Sequence, residues 1–171
     1  IKLFCDVKLL LAFPEYKVPL HGGRRASQSD IFLLAKGGGQ LISMMVEGKV
    51  DEPFGETIAE WRDEGGKGKE RRLDYLCRLL ELDKDKVNNI RYQLLHRTAS
   101  AVIEARRFNA PNALMLVHSF SETNEWFDDY KQFLALFGAK GEPDSLVFGR
   151  NLDGINLYFA WVKGEAKYLE K

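Results

Sequence analysis

The chain has 171 residues, 45% hydrophobic and 29% charged, which suits a globular protein of one domain with a substantial core. Its 25 basic residues are balanced by 25 acidic ones; that neutrality argues against a protein that coats nucleic acid through a general basic field, but not against a nuclease whose carboxylates offset a basic groove. No apolar run approaches the roughly 18 residues of a membrane span, no secretory signal is visible, and Cys5 and Cys77 form neither a disulfide framework nor a zinc spacing, so a cytoplasmic protein without a membrane partner is expected.

The chain opens on Ile1 rather than Met, so a truncated N-terminus with residues upstream is expected. Residues up to Phe13 read as a short helix or a first strand. Tyr16-Lys17-Val18, between Pro14 and Pro19, suits an edge strand. His21-Gly22-Gly23-Arg24 is a turn. A hairpin over 30–50 follows, centred on Gly37-Gly38-Gly39-Gln40, with Ala35 facing Ile42. A competing local reading makes Ser27 the N-cap of a helix running through Lys36, with Asp30 three positions in. Residues 56–61 look like a short helix, and 64–69, rich in Gly and Lys, a mobile lid or a linker.

Leu73, Leu76, Leu79 and Leu80 recur at helical spacing within 71–82. Leu94, Leu95, Thr98, Ala101, Val102 and Ala105 do so within 87–108. Ala113-Leu114-Met115-Leu116-Val117 is continuously apolar, as in a central strand covered on both faces. An amphipathic helix over 126–137 is followed by strands at Val147-Phe148 and 155–162, joined around Asp153-Gly154. The order implies an α/β fold: a mixed sheet with helices packed on it. If the strand ending at Lys49 and the strand over 113–117 are parallel neighbours, their crossover is right-handed. Their carboxyl ends then share one sheet edge, with His118 and Ser119 near Lys49.

The residues that carry chemistry are Glu47-Gly48-Lys49, at the end of the apolar run Leu41-Ile42-Ser43-Met44-Met45-Val46. Alternate strand residues share a face, so Glu47 and Lys49 point the same way. An acid and an ammonium together at the rim of a buried strand can serve a divalent metal and a phosphate oxygen, as metal-assisted phosphodiester cleavage requires. The tripeptide pattern also occurs at Asp6, Glu15, Asp129 and Glu165. What sets Glu47 apart is the hairpin register, which places Asp30 opposite it, with Cβ atoms roughly 4.5–5.5 Å apart. Two carboxylates that close repel unless a cation or proton intervenes. The alternative is an open hairpin end carrying two hydrated acids and no ligand.

Asp30 at a strand start, Glu47-Gly48-Lys49 on the next strand, and a helix and strand beyond resemble the PD-(D/E)XK nuclease superfamily. The strings Val46-Glu47-Gly48-Lys49-Val50-Asp51-Glu52-Pro53-Phe54-Gly55, Arg91-Tyr92-Gln93-Leu94-Leu95-His96-Arg97-Thr98-Ala99-Ser100-Ala101 and Val117-His118-Ser119-Phe120-Ser121 resemble a bacterial family of unknown function associated with that superfamily. This second resemblance covers nearly the whole chain; the first rests on three residues and a topology. Ser29 stands where the superfamily pattern has Pro, and a helical acid near the superfamily's N-terminus has only Glu15 as a counterpart. The resemblance implies a restriction-endonuclease-like mixed sheet with flanking helices. It implies Mg²⁺ or Mn²⁺ held by Asp30, Glu47 and the Gly48 carbonyl, since oxygen ligands suit a hard cation. Lys49 would orient the attacking water and contact the scissile phosphate, in an electrostatic role rather than as a free base.

Gln93, His96 and Arg97 share a helix face. That face either covers the metal site or is a polar network pinning the helix to the sheet. Arg91-Tyr92 offers a stacking surface for a base, or packing. His118 reads as a supporting residue or a satisfied core histidine. The basic clusters at Arg24-Arg25, 67–72 and Arg106-Arg107 read as solvated surface. Residues 64–69 lack the Ser/Thr of a phosphate loop and follow no strand.

The expected function is metal-dependent cleavage of DNA, with catalytic Asp30, Glu47 and Lys49. The alternatives are a non-catalytic nucleic-acid- or protein-binding module of the same fold, and an enzyme acting on a small anion through Arg97, Gln93 and His118.

Overall fold

The computed structural model describes residues 1–63 and 65–169. Glu64, at the head of the stretch expected to be mobile, lies outside the described residues. A six-stranded mixed sheet organises the chain in the order β1-β2-β3-β4-β6-β5. Strands β1 (Lys8–Val18), β2 (Ser27–Gly37) and β3 (Gln40–Lys49) form an antiparallel meander; β4 (Asn112–Ser119) lies parallel to both β3 and β6 (Ile155–Lys163); β5 (Ser145–Leu152) closes the edge antiparallel to β6.

The hairpin register is the one the glycine-centred turn predicts, with Ala35 opposite Ile42. Residues 27–36 are strand, so the helix capped by Ser27 does not form. The early segments expected as separate pieces are one long edge strand, β1. A register shift between Leu9 and Leu11 interrupts its regularity, and Pro14 and a left-handed Glu15 (φ 52°) follow within it; such irregularity limits edge-to-edge pairing.

Between β3 and β4 run α1 (Ile58–Asp63), α2 (Lys67–Leu80) and α3 (Tyr92–Arg107). Helix α2 starts four residues before the apolar pattern does, taking in residues 67–69 of the expected lid. Helix α3 starts five residues later than expected; Thr57 and Arg91 form an isolated bridge just ahead of it. Ala99, Ala101 and Ala105 are fully buried, and the Ser43 hydroxyl donates to the Ala101 carbonyl at 2.9 Å. Small side chains therefore let α3 lie close on β3 and β4. Helix α4 (Phe127–Ala135) adds Phe133 and Leu134 to the same core, beside Trp161 and Phe159 of β6.

The two sheet faces differ. All three longer helices contribute to one core cluster. The other face buries Ala35, Ile42, Met44, Leu114, Tyr158 and Ala160 beneath Leu3 and Phe4 of the N-terminal 3-10 turn; Phe4 packs edge-on to Tyr158 at 5.1 Å. The helix-covered face is the one that carries Glu47 and Lys49. No described helix is long and apolar enough to cross a membrane.

Candidate functional site

The site lies where β2 and β3 part company. Ladder pairing ends at Ile31–Val46, one step before Asp30 and Glu47 would face each other. Burial along β2 shows why: Ser27 and Ser29 are buried, then Phe32 and Leu34, with half-buried Asp30 and exposed Ile31 between them. The alternation shifts phase across those two residues. Asp30 turns its carboxylate to the backbone, and Oδ2 accepts the Gly48 N–H at 2.6 Å. A Cβ on Gly48 would lie 3.4 Å from that oxygen.

Glu47 is 3% exposed and Lys49 5%. Glu47 Oε2 accepts from Arg97 Nε at 2.6 Å. Its Oε1 accepts from Gln93 Nε2 and lies 3.2 Å from Lys49 Nζ. Lys49 also reaches Glu52 Oε1 at 3.6 Å and sits 5.2 Å over the Phe54 ring. Burial pushes the Glu47 carboxyl above the ordinary glutamate range; Arg97 and Lys49 oppose that rise and the Asp30 charge adds to it.

Gln93, His96 and Arg97 share one face of α3, as their spacing predicts, and the whole face is polar machinery. Ser27 Oγ is 2.8 Å from His96 Nδ1 and accepts from Arg97 Nη1 at 3.2 Å. Burial, then the neighbouring Arg97 and Arg72 charges, hold the His96 ring well below the ordinary histidine pKa.

His118 pairs in register with Gly48, and Ser119 with Lys49, so the parallel neighbours and their shared edge are present. Alternation, however, puts His118 on the face opposite Lys49. There it packs on Phe120 at 4.4 Å, and it does not join Gln93, His96 and Arg97. Tyr92 does not offer a free stacking face either: it is stacked on Trp61 at 4.1 Å with a 10° interplanar angle.

A cleft of about 330 Å³ opens here, lined by Lys49, Phe54, Glu56, Tyr92, Gln93 and His96 among others. Residues 1–166 of the chain match the model of a family described as a domain of unknown function, DUF6946. The chain belongs to DUF6946. No curated protein and no solved structure gives a significant match.

In this DUF6946 chain, no group of three or more His, Cys, Asp or Glu gathers for a metal among the described residues. Two hard oxygen donors are present. Asp30 Oδ1 has no hydrogen-bond partner among the described residues, whereas both Glu47 oxygens are engaged. Mg²⁺ sites commonly use one or two carboxylates and complete the shell with water and substrate phosphate. The donors therefore fit a divalent cation of that kind, not one enclosed wholly by protein.

Sequence reasoning missed Ser27, Glu52, Phe54 and Trp61. Glu52 and Phe54 stand within five residues of Lys49 and had a positional signal. Ser27 and Trp61 reach the site only through tertiary packing.

Proposed function

We propose that the DUF6946 chain is a metal-dependent phosphodiesterase acting on DNA, built on a restriction-endonuclease-like sheet. The observation that carries this reading is the junction of Asp30, Gly48, Glu47 and Lys49 at the carboxyl end of β3, beside an open cleft. The strand order supports it: an antiparallel meander passing into parallel β4, with the acids at the edge where open sheets take ligands.

Asp30 and Glu47 would hold Mg²⁺ or Mn²⁺, which lowers the pKa of bound water toward neutrality. The chain's own residues do the rest. Gln93 and Arg97 fix the Glu47 carboxylate. Lys49 presents an ammonium at the cleft to a phosphate oxygen, held by Glu47 and Glu52. Phe54 and Tyr92 line the cleft. The test is cleavage of plasmid and oligonucleotide with and without divalent ion, for the wild type, Lys49→Ala and Asp30→Ala. Cleavage that survives both substitutions removes the site.

One observation favours a second reading. Both oxygens of Glu47 are already held by Gln93, Arg97 and Lys49. A non-catalytic nucleic-acid-binding module would keep that network closed. It would show no hydrolysis, and binding that weakens steeply with salt.

A further inference from the structure

A second cavity, of about 520 Å³, lies beside the Trp61–Tyr92 stack, between the β1–β2 turn and the start of α2. It joins two clusters that sequence reasoning assigned to solvated surface. Arg24 and Arg25 come from the turn, Lys69 and Arg72 from α2; the only carboxylate among the described lining residues is Glu56.

Arg72 decides what this surplus of charge means. It is 7% exposed, and its Nε is buried with no hydrogen-bond partner. Its guanidinium has one long bond, from Nη2 to the Leu20 carbonyl at 3.4 Å, and a contact with the neutral Tyr92 hydroxyl, but no ion pair among the described residues. A guanidinium held out of water without an anion is costly. Arg24 and Arg25 are exposed and likewise have no carboxylate partner among the described residues. Helix α2 begins behind Gly66 with no side-chain cap; the Lys69 and Glu70 amides donate to the Gly66 carbonyl, which leaves the Gly68 amide at the positive end of the helix dipole with no acceptor among the described residues.

The arrangement is built in. A Cβ on Gly22 would lie 2.4 Å from the Arg72 backbone nitrogen, one on Gly23 2.8 Å from Arg72 Nη2, and one on Gly68 2.9 Å from the Gly22 carbonyl oxygen. Only glycines let the arginine-bearing turn settle onto α2. A tetrahedral dianion is the ligand that several guanidinium forks and a helix amide match together.

We propose that this cavity binds a phosphate monoester, the doubly ionised group carried by a mononucleotide or by a phosphorylated nucleic-acid terminus. Trp61 lines the cavity, and Glu56 lines both it and the Lys49 cleft. A strand anchored here by its terminal phosphate would lead into that cleft. This step rests on the nuclease reading; the binding itself does not.

The experiment is calorimetric titration of the full chain, without divalent ion, with thymidine monophosphate and with tetrathymidylate bearing a 5′-phosphate, a 3′-phosphate or neither. A phosphorylated probe is expected to bind about tenfold tighter than the unphosphorylated one. The advantage should vanish in the exposed double variant Arg24→Gln/Arg25→Gln and survive in Lys49→Ala. A phosphorylated oligonucleotide that outbinds the mononucleotide identifies a strand terminus as the source; equal binding identifies the free nucleotide. No preference for phosphorylated probes, or a preference that persists in the double variant, overturns the proposal. A preference here with no cleavage in the separate assay with divalent ion sinks the nuclease reading alone; cleavage in that assay without a preference here sinks this proposal alone.

Discussion

Arg97 Nε donates to Glu47 Oε2 across 2.6 Å, and both side chains are buried. The pair ties α3 to the end of β3 and sets the orientation of everything in the cleft. Breaking one half leaves the other charged and unsolvated. Arg97→Ala is expected to cost about 3–5 kcal/mol. Arg97→Met combined with Glu47→Gln removes both charges and keeps an amide for Gln93, so it should cost less than Arg97→Ala alone. Urea unfolding of the wild type and the two variants measures the difference. A double variant weaker than Arg97→Ala would mean the ion pair contributes more than it costs to bury.

His96 gives stability a pH dependence of definite sign. Its folded pKa lies below the ordinary value because of burial and the neighbouring Arg97 and Arg72. The unfolded ring therefore takes up a proton first as pH falls, and stability present above about pH 6.5 is lost on acidification. Glu47 runs the opposite way. Its folded pKa is raised, chiefly by burial, so its contribution falls as pH rises through the window above the ordinary glutamate value. The urea midpoint of the wild type should drop from pH 7 to pH 5. The drop should shrink in His96→Gln and deepen in Glu47→Gln, where the opposing slope is gone. Equal drops in all three proteins would assign the acid limb elsewhere.

How much of this was legible in the sequence differs from element to element. The Ala35–Ile42 register follows from the glycine turn and the period-two pattern, and the structure has it. The neighbours Gly48–His118 and Lys49–Ser119 follow from the parallel placement of β3 and β4. The same alternation that pairs His118 with Gly48 sends its ring away from Lys49, a consequence that sequence proximity to the sheet edge obscured. The start of α2 was hidden because residues 67–70 carry no apolar spacing; the contact of Gly68 with Gly22 is tertiary. The phase shift at Asp30–Ile31 was also invisible, since a hairpin pattern extrapolates without interruption. It changes the Asp30 partner from a facing carboxylate to the Gly48 amide.

Two glycines separate backbone strain from steric contact. Gly22 (φ +93°) would place a Cβ 2.4 Å from the Arg72 nitrogen, whereas Gly39 (φ +82°) has nothing within 4 Å. Gly39→Ala should cost only the left-handed backbone penalty, about 1–2 kcal/mol. Gly22→Ala adds a clash with backbone that cannot rotate away, so at least about 2 kcal/mol more is expected. Denaturant midpoints of the two variants test this. Equal losses would show that the turn can lift off α2 freely, and the Arg24–Arg25 pocket would then lack its fixed wall.

The metal itself can be tested without any substrate. A cation that binds only the folded chain stabilises it by about 1.4 kcal/mol at ten times its dissociation constant. Mn²⁺ is therefore expected to raise the unfolding midpoint of the wild type, and EDTA to reverse the gain. Asp30→Ala should abolish the shift, because it removes the one carboxylate of the pair with an oxygen free of partners among the described residues. Lys49→Ala should keep or enlarge it, because the ammonium 3.2 Å from Glu47 Oε1 competes with a cation for that oxygen. A shift unchanged in Asp30→Ala would place any bound metal away from the β2–β3 junction. The closed Glu47 network would then be structural, and the cleft would have no metal-assisted chemistry to perform.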